Sequence, residues 1–193
     1  MEKGAIEDKY VYKEIAKLIK EYKIDTIVET GTYRGWSAKK LAEFGLPVFT
    51  IEINKENYDI ANDYLKDSKN VYRFFGSSPD VLDEILEERD LKNVLFFLDA
   101  HWGDYWPIHD EILTMKKYGL KPVVVIHDFY VPDADGKAKF GFDKYKGQAL
   151  DYQFVKPSID KLYGTGNYKH YCLQEAEVDA GVGIFTPEVS KEW

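Results

Sequence analysis

The chain has 193 residues, of which 45% are hydrophobic and 31% are charged, as in a single soluble globular domain that buries a core. These proportions exclude a mainly disordered chain. Acidic residues outnumber basic residues by 34 to 26, and the resulting net charge of -8 disfavours binding to nucleic acid or to an anionic membrane.

The single cysteine, Cys172, excludes an intrachain disulfide and a multi-cysteine zinc site, and it fits a reducing compartment. The N-terminus is charged where a signal peptide needs an apolar stretch, and the longest apolar runs are far shorter than the ~20 residues that span a bilayer. We therefore expect a cytoplasmic protein without a membrane partner. An assembly of identical chains is compatible with this sequence.

The predicted elements alternate between helices and strands. An amphipathic helix is predicted within residues 1–23, where one apolar stripe contains Val11, Ile15, Leu18, Ile19 and Tyr22. The strands that follow are TIVET, VFTIEI, VYRFF, NVLFFLD and VVVIHD, with helical patterns after the first four. Strands that are apolar almost throughout predict a parallel sheet with helices on both faces.

The C-terminal part of the chain departs from this alternation. Residues 131–148 are predicted to form a long loop, and such loops are usually lids, binding loops or disordered segments. The last two strands, YKHYCLQ and GVGIFT, have no helix between them and predict an antiparallel hairpin. Helix boundaries are marked by Ser78 as an N-cap before Pro79, and by Gly119 as a C-terminal stop. We predict one domain, residues 1–193.

Ligands of an open parallel sheet bind at the carboxyl ends of its strands. After the first strand, Gly31 and Gly35 permit a tight turn and close approach of a ligand, and the next helix offers free N–H groups near Ser37. A glycine-containing turn without a ligand is the alternative. The second strand ends at Glu52, about 20 residues after Gly31, where nucleotide-binding units place an acid for the ribose. A solvated strand-end glutamate is the alternative there.

The turn and the acid together favour an adenosine-type ligand, either a dinucleotide or S-adenosylmethionine. The turn lacks the G-x-G-x-x-G pattern that a pyrophosphate requires, and Glu29 suits the ammonium group of a methionine moiety. Ser78, after the third strand, is placed to contact an adenine edge, a role that is compatible with its role as an N-cap.

Two aspartates, Asp99 and Asp128, end the fourth and fifth strands. If these strands are neighbours, about 4.8 Å apart, the carboxylates converge and repel each other unless a cation or a proton lies between them. Such oxygen ligands suit Mg²⁺ or Ca²⁺. Alternatively, each aspartate caps the turn that follows it. His101 and His127 lie beside these acids and are candidates for a general base.

Five stretches, IVETGTYRGWSAKKLA, VFTIEINKENYDIA, FFGSSPDVLDEIL, FFLDAHWGDYWPIHDEIL and VVVIHDFYVPD, resemble successive motifs of the catechol O-methyltransferase-like group of class I S-adenosylmethionine-dependent methyltransferases. The similarity is ordered along the chain, from residue 27 to about residue 133. It implies a Rossmann-like α/β fold, with a seven-stranded, mostly parallel sheet and a C-terminal antiparallel hairpin. It also implies S-adenosylmethionine as cofactor and methylation of a small-molecule hydroxyl.

The resemblance implies specific site residues as well. The cofactor would be bound by Glu29, Gly31, Tyr33, Gly35, Ser37, Glu52, Ser78 and Asp99. A magnesium ion would be held by Asp99 and Asp128. Together with the position of the histidines beside these acids, this gives His101, His127 and Asp128 as the predicted catalytic residues.

Three positions depart from the pattern of this group. The third metal ligand, expected directly after the second aspartate, is Phe129 here, and the catalytic lysine falls on Gly103. Where this group has a glutamine directly after the adenine-contacting serine, this chain has Pro79. The missing function would then come from one of three residues: His101, His127 or Asp104.

Two other classes of function stay open at this point. A nicotinamide-dependent oxidoreductase accounts for Glu52, and a non-catalytic adenosyl-binding protein accounts for the missing lysine and metal ligand. The acceptor pocket is predicted from Trp102, Tyr105, Trp106 and the loop 131–148. Lysines and aromatic residues alternate in this loop, which predicts either a lid over an anionic or sugar-like acceptor or a solvated surface loop.

Overall fold

The structure is a computed structural model that describes residues 5–101 and 105–188. A short 3₁₀ helix, Ala5–Glu7, leads into α1, Lys9–Glu21. Helix α1 begins after Asp8, whose carboxylate accepts a hydrogen bond from the backbone N–H of Tyr10. This helix confirms the amphipathic helix predicted within residues 1–23.

Five strands and four helices follow in alternation: β1 Thr26–Thr30, α2 Trp36–Ala42, β2 Val48–Glu52, α3 Lys55–Tyr64, β3 Val71–Phe75, α4 Ser78–Glu88, β4 Val94–Leu98, α5 Ile108–Lys117 and β5 Val123–His127. The remaining elements are β6 Lys144–Tyr145, β7 Gln148–Ala149, α6 Tyr152–Tyr163, β8 Tyr168–Cys172 and β9 Val182–Pro187. All seven strands predicted from the sequence are present.

The main sheet of the described residues has seven strands in the order β3-β2-β1-β4-β5-β9-β8. Strands β1 to β5 are parallel to one another, whereas β9 runs antiparallel to both β5 and β8. The predicted fold class is therefore confirmed, including the C-terminal antiparallel hairpin. Because β1 lies between β2 and β4, the strand order reverses there, and this is where open α/β sheets form their binding crevice.

The core has one hydrophobic layer on each face of the sheet. Adjacent residues of a strand point to opposite faces, so Phe96 of β4 packs with α4, α5 and α6, whereas Phe97 packs with α1, α2 and α3. Both phenylalanine side chains are fully buried. This arrangement explains why the central strands are apolar at nearly every position.

Helix α6 was not among the predicted elements. The carboxylate of Asp151 caps its start by accepting a hydrogen bond from the N–H of Phe154, and Gly164 follows its end. The sequence argues against a helix here because Pro157 lies in its interior and removes one backbone donor.

The predicted helix boundaries are correct in one case and wrong in the other. Gly119 follows the end of α5 with φ 69°, as predicted for a C-terminal stop. The N-cap of α4 is Ser77, and Ser78 is already helical, so the predicted cap is wrong by one residue. Among the described residues, no helix is both long and apolar enough to cross a membrane.

Candidate active site

A cleft of about 610 Å³ opens at the carboxyl ends of the five parallel strands, β1 to β5. Its lining includes six of the predicted cofactor-binding residues: Gly31, Tyr33, Ser37, Glu52, Ser78 and Asp99. The three predicted catalytic residues line the same cleft: His101, His127 and Asp128. The structure thus brings together residues from five strand ends, as expected for a parallel sheet.

The floor of the cleft is the turn after β1. Gly31 has φ 85°, and a Cβ atom at this position would overlap the backbone carbonyl of Asp99 at the end of β4. A side chain is excluded here because the turn passes directly against the neighbouring strand. Tyr33 also has a positive φ, 49°, although it is not a glycine, so the turn is held in a conformation that few side chains adopt.

Two of the predicted cofactor residues do not reach the cleft. Glu29 is 0% exposed, and its Oε2 accepts a hydrogen bond of 2.5 Å from the hydroxyl of Thr50. Burial raises the pKa of Glu29 to about 8, although the hydroxyl of Thr50 opposes that rise. Gly35 is the N-cap of α2 and faces the side chain of Leu65. The structure places both residues beneath or beside the cleft, so contact with the cofactor stays a prediction for each.

Glu52 is positioned in the cleft by two backbone hydrogen bonds. Its Oε2 accepts from the N–H of Tyr33 and its Oε1 from the N–H of Asn54, each at 2.7 Å. Burial raises the pKa of Glu52, and these two hydrogen bonds oppose the rise. Each carboxylate oxygen keeps a further lone pair, so the side chain can accept two hydrogen bonds from a vicinal diol such as a ribose.

Ser78 is anchored by a buried acid that sequence reasoning missed. Its hydroxyl donates a hydrogen bond to Oε1 of Glu111, which is 0% exposed. Burial raises the pKa of Glu111 to about 7, opposed by the hydroxyls of Ser78 and Thr30. A signal was present, because Glu111 shares the buried face of α5 with Ile108, Ile112 and Met115.

The carboxylates of Asp99 and Asp128 converge as predicted, since β4 and β5 are neighbours. The group between them is His127: its Nδ1 lies 3.2 Å from Oδ1 of Asp99 and 3.2 Å from Oδ2 of Asp128, without hydrogen-bond alignment to either. Burial lowers the pKa of His127, but the charges of the two aspartates outweigh it and raise the pKa to about 10. The imidazole therefore balances part of the negative charge of this pair.

A third acid, Asp143, enters the site from the loop 131–148. Its Oδ2 lies 3.5 Å from Nε2 of His101, and ligand atoms of His101, Asp128 and Asp143 all lie within 4.8 Å of one another. Burial raises the pKa of Asp143, the charge of His101 opposes the rise, and the charges of Asp128 and Asp99 add to it. No local sequence pattern marks Asp143, because only the path of the loop brings it here.

Phe129 is 1% exposed and its ring packs where a Cβ of Gly183 would lie. The position directly after Asp128 therefore faces the core, so no side chain there can reach a metal between the strand ends. The predicted residues Trp102, Gly103 and Asp104 lie outside the described residues.

The two other predicted acceptor-pocket residues lie near the same end of α5. Tyr105 is 38% exposed and its hydroxyl donates to the carboxylate of Asp110. Trp106 stacks on Tyr145 of the loop 131–148, with ring centroids 5.2 Å apart. The loop is thus in contact with the segment that precedes α5.

Residues 11–129 match the model of the O-methyltransferase family. The chain belongs to this family. Catechol O-methyltransferase of the pig, Sus scrofa, is 31% identical over 121 residues, which are 58% of this chain and 63% of the relative. The mouse enzyme, from Mus musculus, is 28% identical over 167 residues, which are 77% of this chain and 61% of the relative. The chain spans less than two thirds of the length of these curated relatives.

Solved structures of similar fold include two bacterial O-methyltransferases. The alignment with the protein of Bacillus cereus, solved in complex with SAH, covers 90% of this chain and 79% of that protein's chain, with a TM-score of 0.60 and 20% sequence identity. The alignment with the protein of Streptomyces achromogenes, solved in complex with SAM, covers 91% of this chain and 78% of that protein's chain, with a TM-score of 0.62 and 21% sequence identity. At these identities the likeness shows that this O-methyltransferase family member shares their fold.

Proposed function

We propose that this O-methyltransferase family member transfers a methyl group from S-adenosylmethionine to a hydroxyl oxygen of a small molecule. The carboxylate of Glu52 is the observation that carries the proposal. It is held by two backbone N–H groups at the end of β2 and faces the cleft with a free lone pair on each oxygen. The SAH and SAM complexes of the structural neighbours support the same cofactor.

The cleft suits this cofactor in size and polarity. Its volume of about 610 Å³ falls within the range of small-molecule sites. With the ribose at Glu52, the adenine would lie toward Ser78 and Gly76, and the methionine end toward Tyr33, Ser37 and Asp99, which all line the cleft. The reactive methyl group would then lie near Asp128 and His101.

The reaction is an in-line displacement. The acceptor oxygen attacks the methyl carbon, the carbon–sulfur bond breaks, its electron pair stays on sulfur, and the acceptor loses a proton. The protein must orient the hydroxyl and take up that proton. His127 is held charged between two aspartates and so does not accept it. We assign proton uptake to the opposite side of Asp128, where His101 and Asp143 lie.

The resemblance to catechol O-methyltransferases implies a divalent cation, and the donor set of this site fits one. Asp128 belongs to two groups of possible ligands, one with Asp99 and His127 and one with His101 and Asp143, and Asp143 supplies a carboxylate where Phe129 cannot. When bound, such a cation lowers the pKa of the acceptor hydroxyl. The acceptor is proposed to be anionic or sugar-like, because of the lysines of the loop 131–148, and a cytoplasmic location is proposed from the sequence.

Calorimetric titration with S-adenosylhomocysteine tests the cofactor, with NADH as the control ligand. We expect micromolar binding of S-adenosylhomocysteine and no heat from NADH. Methyl-labelled cofactor, incubated with a mixture of hydroxyl-bearing metabolites with and without chelator, then tests transfer. Absence of S-adenosylhomocysteine binding would overturn the proposal, and binding without label transfer to any acceptor would favour a non-catalytic adenosyl-binding protein.

A further inference from the structure

A small second cavity, with a volume of about 20 Å³, adjoins the cleft. It shares Asp99, His101, His127 and Asp128 with the cleft, and Asp143 and Glu111 complete its polar wall. A space of this size holds one water molecule or one ion. All six polar side chains around this small space are ionisable, and four of them are carboxyl groups, whose burial and mutual repulsion favour a bound partner between them.

The negative charges around this cavity are only partly compensated. His127 lies between Asp99 and Asp128, at 3.2 Å from each, and so balances part of their charge. Asp143 adds a third carboxylate that is 33% exposed, and its imidazole partner, His101, is 53% exposed. Exposed pairs of this kind contribute little stabilisation. The uncompensated charge is therefore on the Asp128–Asp143 side of the cavity.

Glu111 provides an independent sign of a missing partner. It is 0% exposed, it lines the cavity, and its Oε2 has no hydrogen-bond partner among the described residues. The hydroxyl of Thr30 is near this carboxylate but is not aligned for a hydrogen bond. Buried polar atoms without partners are rare, and many of them face a water or an ion.

We propose that a divalent cation binds in this small cavity, ligated by the carboxylates of Asp128 and Asp143 and by the imidazole of His101. Ligand atoms of these three residues already lie within 4.8 Å of one another. The site differs from the expected one between Asp99 and Asp128, where Asp99, His127 and Asp128 form the alternative group of possible ligands. A set of two carboxylates and one imidazole suits Mn²⁺ better than Mg²⁺, which prefers oxygen and water.

The proposed site couples the cation to the loop 131–148, which contributes Asp143. The backbone N–H of Asp143 also donates a hydrogen bond of 2.9 Å to the carbonyl oxygen of Asp128. A cation shared by Asp128 and Asp143 thus fastens the base of the loop to the end of β5. The purpose of the cation in methyl transfer rests on the proposed function: a cation bound there would lower the pKa of the acceptor hydroxyl on the side of Asp128 to which proton uptake is assigned.

Calorimetric titration of the chelator-treated full chain with MnCl₂ tests this inference. Three variants are compared with the wild type: Asp143→Asn removes the loop ligand, Asp99→Asn removes a ligand of the alternative site, and Asp135→Asn is a charge-matched control on the same loop. Asp135 is exposed and lies outside the cavity. We expect one Mn²⁺ per wild-type chain and at least about 10-fold weaker binding by Asp143→Asn, because even the loss of a residue that only supports a metal ligand costs about 10-fold or more in metal affinity. The two other variants should stay within about 5-fold of the wild type, since neither removes a proposed ligand.

The inference is overturned by an absence of Mn²⁺ binding to the wild type, or by equal affinity of wild type and Asp143→Asn. A larger loss in Asp99→Asn than in Asp143→Asn also overturns it, because the cation would then lie between Asp99 and Asp128. Binding of S-adenosylhomocysteine is measured on the same samples. Normal binding of this ligand shows that Asp143→Asn and Asp135→Asn are folded and separates a failure of the cation site from a failure of the proposed function. The melting temperature is the folding control for Asp99→Asn, because Asp99 lines the cofactor cleft.

Discussion

The hydrogen bond from the backbone N–H of Asp143 to the carbonyl oxygen of Asp128 joins the loop 131–148, just before β6, to the end of β5. A second one, from the N–H of Leu150 to the carbonyl oxygen of Asp143, continues this connection toward α6. The base of the loop is therefore attached beside the cleft, and the lysines lie on the part that extends from it. This attachment is compatible with a lid, although it leaves the lid a prediction.

The loop lysines test the lid directly. Once an acceptor is found, simultaneous replacement of Lys137, Lys139, Lys144 and Lys146 by serine should raise the KM for the acceptor and flatten its salt dependence. All four side chains are exposed, so the loss of positive charge weakens attraction of an anionic acceptor without disturbing the core. Steady-state kinetics at several ionic strengths measure both effects. An unchanged KM would leave the loop as a solvated surface segment.

Glu52→Ala should weaken binding of S-adenosylmethionine and S-adenosylhomocysteine by ~1.5 to 3 kcal/mol, because charge-assisted hydrogen bonds to the ribose are lost. Isothermal titration calorimetry measures the change. Glu87→Ala is the control, since Glu87 is an exposed glutamate on α4 away from the cleft. Equal affinities of wild type and Glu52→Ala would remove Glu52 from the site.

Gly31→Ala should destabilise the fold more than Gly45→Ala, and it should abolish cofactor binding. Both glycines have positive φ, so each alanine costs about 1 to 2 kcal/mol in backbone conformation. Only at Gly31 does the new Cβ overlap the backbone of Asp99, which adds about 1 to 3 kcal/mol, whereas nothing lies near it at Gly45. Urea denaturation of the two variants isolates the contribution of the close approach. Equal losses of stability would mean that the turn can move away from β4.

Glu111→Gln should change how stability depends on pH. Burial raises the pKa of Glu111 from 4.5 to about 7, so the unfolded chain ionises at lower pH than the folded chain. The raised pKa therefore stabilises the folded wild type fully below pH 4.5. This contribution to the free energy of unfolding, on the order of 3 kcal/mol, is lost as the pH rises to about 7. Glutamine does not titrate and still accepts the hydrogen bond from Ser78. The variant should gain stability over the wild type between pH 5 and pH 7, and the gain should level off above pH 7.

Urea denaturation of both proteins at pH 5, 6, 7 and 8 measures the difference between their free energies of unfolding. Groups that titrate equally in the two proteins do not contribute to this difference. A difference that is the same at every pH would contradict the raised pKa of Glu111. Binding of S-adenosylhomocysteine, measured in parallel, shows whether the anchor of Ser78 matters for the adenine end of the cleft.

The order of helices and strands follows from the sequence alone, because apolar periodicity is a local property of the chain. The parallel sheet follows as well, since strands such as β4 are apolar on both faces. Residues at strand ends could then be assigned to one site by topology, as Glu52, Asp99 and Asp128 show. Helix α6 escaped prediction because Pro157 masks a helix that tertiary packing stabilises.

Only the tertiary structure decided how these side chains meet. Glu29 is a strand-end acid in the sequence, but neighbouring elements bury it completely and raise its pKa to about 8. His127 was predicted as a base, yet its ring lies between Asp99 and Asp128. Asp143 approaches Asp128 because the long loop returns to the end of β5. Burial and charge at each of these positions depend on residues far apart in the chain, and no local pattern encodes their distances.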